Sequence, residues 1–307
     1  MDCRREPADF APLAGTLDPD RGLPRPGHGR WRRAQALTTV TAQVHAARMR
    51  ILTWNMATAY GPYKEHHEEA WAEILALEPD IAFLQECAPP AEFPDGWTVH
   101  AEPFELWGSA IITRLPITPV RFEPTSHLGR FGAYLATATV TLPDGTELLV
   151  SSVHERTAPA SKRLLKDLDG AAMRRPSVDV PWWNDVAWHG LADLVRGRRF
   201  IVAGDWNTSR WVDANGIPAP SGKDFFDRAE AAGWVDLHQR AVGHEERSWF
   251  GSTNPRVHQP DVIFAHASTA AGLVGCRVEP EWAADRKLSD HAPVIAELQV
   301  GHARAMT

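Results

Sequence analysis

The feature that most restricts the fold of this chain is a set of short apolar runs, each followed by a polar side chain. Apolar runs of this length are typical of buried strands, and a polar residue that follows one lies at the edge of a sheet. The sequence therefore predicts strands that present functional side chains at their carboxyl ends. The runs are residues 50–54 before Asn55, 80–85 before Glu86, 147–153 before His154, and 200–203 before Gly204, Asp205 and Asn207.

In the last third of the chain, polar residues precede the apolar runs instead. Asp261 stands before VIFA, and Asp290 and His291 stand before APVIAELQV. In a sheet whose strands run both ways, the carboxyl ends of one set share an edge with the amino ends of their antiparallel neighbours. We therefore predict one polar rim, formed by Asn55, Glu86, His154, Asp205, Asn207, Asp261, Asp290 and His291.

Segments with helical periodicity alternate with these strands. A hairpin is predicted at residues 134–142 and 147–153, because Pro143-Asp144-Gly145 supplies a turn between them. Residues 155–180 are predicted to form a long loop, with a helix near residues 161–168. This order of elements favours an α/β protein with mixed β-sheets. The predicted helices cover residues 62–78, 181–195 and 221–233.

The cysteine content and the lack of a targeting segment predict a cytoplasmic protein. The three cysteines form no CxxC pair, so neither a disulfide framework nor a zinc ribbon is predicted. No apolar stretch approaches the roughly 18 residues of a membrane span, and residues 1–30 lack the apolar segment of a signal peptide. We expect a cytoplasmic protein without stable membrane insertion, with a disordered tail at residues 1–47 and one domain at residues 48–302.

The net charge of −7 is distributed unevenly. Residues 1–50 contain nine Arg against five acidic residues, so residues 51–307 hold 23 basic against 34 acidic residues, a net charge of −11. A strongly anionic body repels polyphosphate chains, although a local basic groove or a bound divalent metal overrides this effect. The charge therefore lowers the expectation of a nucleic-acid substrate without excluding it.

The chemistry of the predicted rim favours a hard metal ion. Its four carboxylates and two amides form an oxygen-rich set of the kind that binds Mg²⁺ or Mn²⁺. The zinc-peptidase pattern HExxH fails at all three His-Glu pairs of the chain. Walker A, GxGxxG and GxSxG motifs are absent, so the sequence gives no signal for nucleotide-driven or serine-nucleophile chemistry.

Together these motifs resemble the endonuclease/exonuclease/phosphatase superfamily, the pancreatic-DNase-like metal-dependent phosphohydrolases. The resemblance covers nearly all of residues 49–300, with the motifs in the family's order. It implies two mixed β-sheets packed as a sandwich with helices on the outer faces, a DNase-like four-layer fold. The matching motifs are LTWN at 52–55, PDIAFLQE at 79–86, GSAIITRLPI at 108–117, the strand that closes on His154, GDWN at 204–207, PDVIF at 260–264 and SDHAPV at 289–294.

The resemblance assigns three residues to the metal end of the rim. It implies that Glu86 is the direct ligand of Mg²⁺ or Mn²⁺, that Asn55 is a supporting polar group beside it, and that Asp290 completes the metal end. These roles agree with the chemistry, because in-line attack on a phosphoester needs a Lewis acid, a positioned water and donors for the phosphoryl oxygens.

The other five rim residues are implied to act on the reacting groups. Asp205 would position or deprotonate the attacking water, and Asn207 would hold a phosphoryl oxygen. His291 would protonate the leaving group or stabilise the charge on the phosphorane, with Asp261 fixing its tautomer. His154 would contact the phosphate from the other side.

Two further residues carry predictions of their own. Arg130, in the HLGRFGAYL stretch, is predicted to contact a substrate phosphate. Trp206 lies between Asp205 and Asn207, and the alternation of side chains along a strand predicts that it points into packing, away from the rim.

The predicted function is metal-dependent hydrolysis of a phosphoester, as a phosphodiesterase or a phosphatase. The substrate could be a small molecule, a phospholipid headgroup or a nucleic acid. A DNA or RNA nuclease is the first alternative, although Ala57 stands where several DNA-repair members of the family carry an acidic residue. A catalytically silent binding module of the same fold is the alternative from another class, and the intact rim argues against it.

Overall fold

The computed structural model describes residues 47–58, 61–104, 107–156, 158–210, 220–251 and 258–300. Residues 1–46, most of the predicted tail, and residues 301–302, the end of the predicted domain, lie outside the described residues. The strands of the described part are β1 (Ala47–Asn55), β2 (Ile81–Cys87), β3 (Thr98–Phe104), β4 (Trp107–Thr113), β5 (Ile117–Val120), β6 (Leu135–Thr141), β7 (Glu147–His154), β8 (Phe200–Asp205), β9 (Trp234–Asp236), β10 (Asp261–His266), β11 (Leu273–Val278) and β12 (Val294–Val300).

Helices connect these strands, and the three predicted helical segments are all present. No helix of the described residues has the length and apolar character needed to cross a membrane. The α-helices are α1 (His67–Leu77), α2 (Gly170–Met173), α3 (Trp183–Leu194), α4 (Pro220–Ala231), α5 (Leu237–Val242), α6 (Ala267–Ala270) and α7 (Glu281–Ala284), with 3-10 helices at Gly61–His66 and Leu128–Tyr134.

The strands form two six-stranded sheets of similar plan. Sheet I has the order β11-β12-β1-β2-β4-β3, and sheet II has the order β5-β6-β7-β8-β10-β9. In sheet I the only parallel neighbours are β1 and β2, and in sheet II they are β7 and β8; the other neighbours described are antiparallel. Each sheet is therefore mixed, as predicted, and each has its parallel pair near the centre.

Alternate side chains of each strand face opposite layers. Ile51 and Phe83 of sheet I meet Val150 of sheet II in the core between the sheets. Leu52 of sheet I instead packs outward, where the residues of α1 and α7 cover it. The outer face of sheet II is covered in the same way by α3 and α4, around Trp206. The predicted sandwich with helices on its outer faces is confirmed, as is the packing role of Trp206.

The loop after β7 differs from its prediction in one respect. Residues 161–168 form turns, and the short α2 follows them instead. The physical reason is the backbone of Asp167, whose left-handed φ of 62° interrupts a right-handed helix. Arg130 Nη1 braces the turns, because it donates to the carbonyl oxygen of Leu164 at 3.0 Å and also to that of Lys166. The predicted helix at residues 161–168 was therefore wrong.

Candidate active site

The two parallel strand pairs bring their carboxyl ends to one rim. Asn55 ends β1 beside Gln85 of β2, and His154 ends β7 directly opposite Asp205 of β8. Asp261, the first residue of β10, is the antiparallel partner of Asp205. The structure thus places residues from strand ends and strand starts at the same edge, in the manner that the sequence pattern predicts.

The glycine of GDWN permits the close approach of β7 and β8 at this edge. A Cβ atom at Gly204 would lie 1.9 Å from the carbonyl oxygen of Val153. Any larger residue would push the strands apart immediately before Asp205. The glycine therefore holds the Asp205 carboxylate in register with His154.

Asn55 joins the two sheets at the rim. Its Nδ2 donates to Glu86 Oε1 at 3.0 Å and to Asp205 Oδ2 at 3.0 Å. Its Oδ1 accepts from the backbone amide of Ala57 at 3.1 Å, and its carbonyl oxygen accepts from Ser289 Oγ at 2.7 Å. The amide is buried and fully engaged, so it fixes the distance between a carboxylate of sheet I and a carboxylate of sheet II.

Glu86 is turned towards the rim by an irregularity of β2. The pairing of β2 with β4 shifts register between Leu84 and Cys87, and Glu86 has a left-handed backbone with a φ of 48°. Such a conformation costs a non-glycine residue energy and is common at functional sites. Burial raises the pKa of Glu86, but hydrogen bonding and charge from His154, whose Nε2 lies 3.2 Å from Oε1, together with the Asn55 amide, hold that pKa at about 2. Glu86 is therefore a carboxylate at neutral pH.

Asp205 is a fully buried carboxylate of the rim. Its Oδ1 accepts from the backbone amide of Asn207 at 2.9 Å, and its Oδ2 accepts from Asn207 Nδ2 at 3.2 Å. Burial raises the pKa of Asp205, the nearby charge of His291 opposes that shift, and the charge of Asp261 adds to it. The net shift is upward, which makes Asp205 a stronger base than an ordinary aspartate.

Asn207 adopts a left-handed backbone with a φ of 47°, which asparagine tolerates better than most residues. Its Nδ2 also donates to the carbonyl oxygen of Glu155 at 2.6 Å. Two neighbouring strand ends are thereby tied together through one amide side chain.

His291 and Asp261 form a buried pair. His291 Nδ1 lies 2.9 Å from Asp261 Oδ2, while Nε2 faces Asp205 Oδ2 at 3.8 Å. Ser248 Oγ donates to Asp261 Oδ2 at 2.6 Å, and Trp54 Nε1 donates to the carbonyl oxygen of His291 at 2.8 Å. Burial lowers the pKa of His291, but Asp261 and Asp205 outweigh it and raise the pKa to about 10. The ring is therefore an imidazolium whose orientation is fixed.

One compact group of the described residues offers ligands for a divalent ion, and the predicted metal ligands are a different set. Ligand atoms of Asp205, Asp261 and His291 all lie within 4.8 Å of one another, but the imidazole nitrogens of that group carry protons. The predicted set is Glu86, Asn55 and Asp290. Glu86 is charged and mostly buried, with Asn55 beside it, whereas Asp290 Oδ2 accepts a 3.3 Å hydrogen bond from Trp249 Nε1. Oxygen donors of this kind suit a hard cation better than a protonated imidazole does.

Sequence reasoning missed three residues around the rim. Glu155 is buried, neither carboxyl oxygen has a hydrogen-bond partner among the described residues, and burial raises its pKa well above the ordinary value. The ring of Tyr134 lies 5.5 Å from that of His154. Ser248 contacts Asp261, as described above. Glu155 follows the β7 run directly, so its position alone was a signal, but its burial was not visible in the sequence.

Arg130 contacts backbone carbonyl groups of two loops and none of the eight rim residues among the contacts described. Its guanidinium donates to the carbonyl oxygens of Thr125, at 3.1 and 3.2 Å, and Leu164, at 3.0 Å. No contact with another predicted site residue is present among the described residues. The structure gives Arg130 a loop-bracing role, and its phosphate contact remains a prediction.

Comparisons with known proteins agree with this architecture. The structure of the 3′ phosphatase NExo from Neisseria, bound to a product DNA hairpin, has a TM-score of 0.61 at 20% identity, covering 81% of this chain and 99% of that chain. The AP endonuclease LMAP from Leishmania major has a TM-score of 0.60 at 16% identity, covering 83% and 88%. An AP endonuclease from Archaeoglobus fulgidus has a TM-score of 0.59 at 17% identity, covering 82% and 100%. At these identities the likeness shows the fold.

No curated protein matches the sequence. A family model does match, that of the Endonuclease/Exonuclease/phosphatase family, over residues 52–291. This span includes every residue of the rim and most of the chain. The protein therefore belongs to the Endonuclease/Exonuclease/phosphatase family.

Proposed function

We propose that this protein is a divalent-metal-dependent hydrolase of phosphoesters, acting as a phosphodiesterase or a phosphatase. The observation that carries the proposal is the position of Asp205. Its buried carboxylate lies between the amides of Asn55 and Asn207 on one side and the imidazolium of His291 on the other, with the charged Glu86 held beside it. Such a set can hold a water, a phosphoryl group and a cation at once.

Glu86 and Asp290, supported by Asn55, would hold the metal at one end of the rim. When bound, Mg²⁺ or Mn²⁺ supplies Lewis-acid stabilisation of charge on the phosphoryl oxygens. Asn55 donates hydrogen bonds to both Glu86 and Asp205. It therefore fixes the position of the metal ligand Glu86 relative to the Asp205 carboxylate.

Asp205 is the residue best placed to orient the attacking water and accept its proton. Its raised pKa favours proton transfer to it from water. In the reaction, the water oxygen bonds to phosphorus and the water proton passes to Oδ1 or Oδ2 of Asp205. The bond from phosphorus to the leaving oxygen breaks with its electron pair on that oxygen, which departs as an oxyanion and takes a proton from solvent.

The electrostatics of His291 favour one of its two expected roles. An imidazolium with a pKa of about 10 is a weak acid at neutral pH, whereas its positive charge is always present. We assign His291 to the stabilisation of charge on the phosphorane. We assign the contacts with further phosphoryl oxygens to Asn207 Nδ2 and His154 Nε2, which lie 3.2 and 4.0 Å from Asp205 Oδ2; Asn207 would exchange its hydrogen bond to Asp205 for one to the substrate.

A DNA-directed activity is the second candidate. The neighbours supply the supporting observation, since the NExo structure holds a DNA hairpin and two others are AP endonucleases. The net charge of −11 over residues 51–307 weighs against an extended polyanionic substrate. A silent binding module is disfavoured, because nothing in simple binding requires a buried base beside an oriented imidazolium.

The test is hydrolysis by the purified full chain with MgCl₂ or MnCl₂. Substrates are bis(p-nitrophenyl) phosphate, p-nitrophenyl phosphate, plasmid DNA, RNA and a phospholipid panel, each with an EDTA control. We expect metal-dependent product release from at least one substrate, and its loss in Glu86→Gln and His291→Ala variants that remain folded by circular dichroism. Inactivity towards the whole panel would refute the enzymatic proposal, and full activity in EDTA would refute its metal dependence.

A further inference from the structure

A basic cleft lies beside the rim, on the side of His154. It is a cavity of about 520 Å³, formed by the 3-10 helix at Leu128–Tyr134, the loop after β7 and the start of α3. We name it the arginine cleft, after the three arginines that line it. Its principal lining residues are Arg130, Tyr134, Arg156, Arg163 and Trp183.

The arginine cleft carries positive charge that the described part of the protein does not neutralise. No acidic side chain is among its described lining residues. Arg156 and Arg163 are exposed, and neither forms an ion pair with a carboxylate of the described chain. By contrast, Arg175 and Arg286 elsewhere in the described chain are paired with Asp185 and Glu73, respectively. In a body with excess negative charge, two unpaired guanidiniums in one concavity form a local anion site.

Aromatic contacts connect the cleft to the rim. The ring of Tyr134 lies 5.5 Å from that of His154 and 5.5 Å from that of Trp183. Arg156 comes two residues after His154 in the chain, and its guanidinium stacks 5.4 Å from the centre of the Trp183 ring. The pKa of Tyr134 is raised by burial, lowered by Arg156 and raised by Glu86, which agrees with a hydroxyl that lies between the cleft and the rim. A ligand bound at the rim can therefore extend into the cleft past Tyr134.

We infer that the arginine cleft binds a second phosphate group of the substrate, so that the preferred substrate is a phosphoester carrying another phosphate beside the scissile one. This inference rests on the proposed function, because it places the scissile group at the rim. Guanidinium groups bind phosphate in a planar, bidentate manner, and stacking on Trp183 orients the Arg156 fork for that purpose. Arg130 braces the wall of the cleft, while Arg156 and Arg163 supply the free donors.

The experiment compares substrates that differ by one phosphate. The nucleotide pair is thymidine 5′-(p-nitrophenyl phosphate) with and without a 3′-phosphate. The inositol pair is glycerophosphoinositol with and without a 4-phosphate. We expect the extra phosphate to raise kcat/KM in one pair by about tenfold or more, the effect of one charge-assisted hydrogen bond. The pair that responds identifies a nucleotide or a lipid-headgroup source.

The variants assign the effect to the cleft. In Arg156→Ala/Arg163→Ala the ratio within the responding pair should fall to near one, while Arg156→Lys/Arg163→Lys should give an intermediate ratio. Arg196→Ala is the matched control, because Arg196 is an exposed arginine in the turn after α3, paired with Asp193 and outside the cleft. It should keep the full ratio. All three proteins should unfold at the same temperature as wild type.

Two outcomes overturn the inference. One is a wild-type ratio near one in both pairs while bis(p-nitrophenyl) phosphate is hydrolysed; the other is a preference that survives in the double alanine variant. Binding of the same pairs to His291→Ala, measured by calorimetry, gives a readout without turnover. Equal affinity for both members of each pair would overturn the inference by itself. Absence of all hydrolysis with a retained affinity difference would refute the proposed function alone.

Discussion

The charge of His291 is set by the carboxylates around it. Its pKa of about 10 lies above the ordinary 6.5, with Asp261 the largest contributor that raises it, followed by Asp205, and with Asp290 also contributing. Because the folded pKa is the higher one, the protonated ring stabilises the fold. That contribution is complete below pH 6.5 and is lost as the pH rises through 10. At neutral pH the ring is therefore a fixed positive charge at the rim.

Asp261→Asn should lower the pKa of His291 and release its ring. The amide keeps the shape but removes the largest source of the upward shift, so we expect NMR titration of the His291 imidazole, without metal, to give a lower pKa than in the wild type. Hydrolysis should fall by about 10²-fold or more, the usual effect of losing one group that stabilises charge in the transition state. Ser248→Ala, which removes only a hydrogen bond to Asp261, is the control and should have a smaller effect. An unchanged His291 pKa in Asp261→Asn would show that the other carboxylates are sufficient to raise the pKa of this ring, and would contradict the role of Asp261.

Glu155 also makes the stability of the fold decline as the pH rises, over a lower pH range that begins at its ordinary pKa. Its folded pKa lies above the ordinary 4.5, so the folded state holds a proton that the unfolded chain releases as the pH rises. Wild-type stability should therefore decline above pH 4.5 until the folded pKa is reached, by at most about 1.4 kcal/mol per pH unit from this group. Glu155→Gln is isosteric and uncharged, so the free energy of unfolding, measured with urea between pH 5 and 8, should depend less on pH.

The matched control for that experiment lies in the same strand. Glu147 begins β7 and is exposed, whereas Glu155 directly follows its other end. Glu147→Gln should leave the pH dependence of unfolding unchanged. Parallel wild-type and Glu155→Gln curves would mean that Glu155 is ionised in the folded protein, contrary to its burial.

At the level of the strands, those that are buried on both faces were easier to predict from the sequence than those at the sheet edges. Strands buried on both faces, such as β1, β2 and β8, have continuous apolar runs and were predicted with their polar ends. The edge strands β5, β9 and β11 were missed. In β5 (Ile117–Val120) the outer positions are half-buried and the inner ones exposed, and β9 has only three residues, so neither produces a run or an alternation. Their strand conformation depends on the neighbour to which they bond.

Within the site, the sequence predicted which residues follow or precede a strand, but it did not predict how their side chains are oriented. The eight rim residues could be located because each adjoins an apolar run. The turn of Glu86 towards the rim depends on a register shift in β2 and a left-handed backbone, which the letters LQEC do not encode locally. The arginine cleft also escaped prediction, since Tyr134, Arg156 and Trp183 come from separate segments that only the folded chain brings together.

The packing of α3 depends on one buried carboxylate. Asp185 accepts from Arg175 Nε at 3.1 Å and from the backbone amide of Trp182 at 2.9 Å, and it also bonds to Arg228 of α4. Arg175 is only 2% exposed. Asp185→Ala would leave that guanidinium buried without the Asp185 carboxylate, and we expect a loss of about 3–5 kcal/mol in the free energy of unfolding by urea.

Asp193→Ala, in the same helix, is the control for this prediction. Asp193 pairs with Arg196, and both side chains are largely exposed, so the loss should stay below about 1 kcal/mol. Similar losses in the two variants would contradict the role of Asp185 as the link between α3, α4 and the loop after β7.

For the molecule as a whole, the rim is a place where polar side chains connect the two sheets. Glu86 and Asn55 belong to sheet I, Asp205 belongs to sheet II, and Asn55 bonds to both carboxylates. The carboxylates of the rim repel one another, and residues 51–307 as a whole already carry a net charge of −11. A divalent cation at Glu86 would relieve that repulsion and hold the sheets at a fixed spacing, so its effect should extend to global unfolding.

Mg²⁺ or Mn²⁺ should therefore raise the melting temperature of the wild-type protein. Binding only to the folded state stabilises it by about 2.7 kcal/mol at a metal concentration of 100 Kd, which for a domain of this size corresponds to roughly 5–10 °C. Scanning calorimetry with and without MnCl₂ measures the shift, and NaCl at equal ionic strength controls for general screening of the acidic surface. Glu86→Gln should melt at the same temperature with or without the metal, while Glu147→Gln should retain the shift. A wild-type shift that NaCl reproduces, or one that survives in Glu86→Gln, would place the stabilising ion elsewhere than at Glu86.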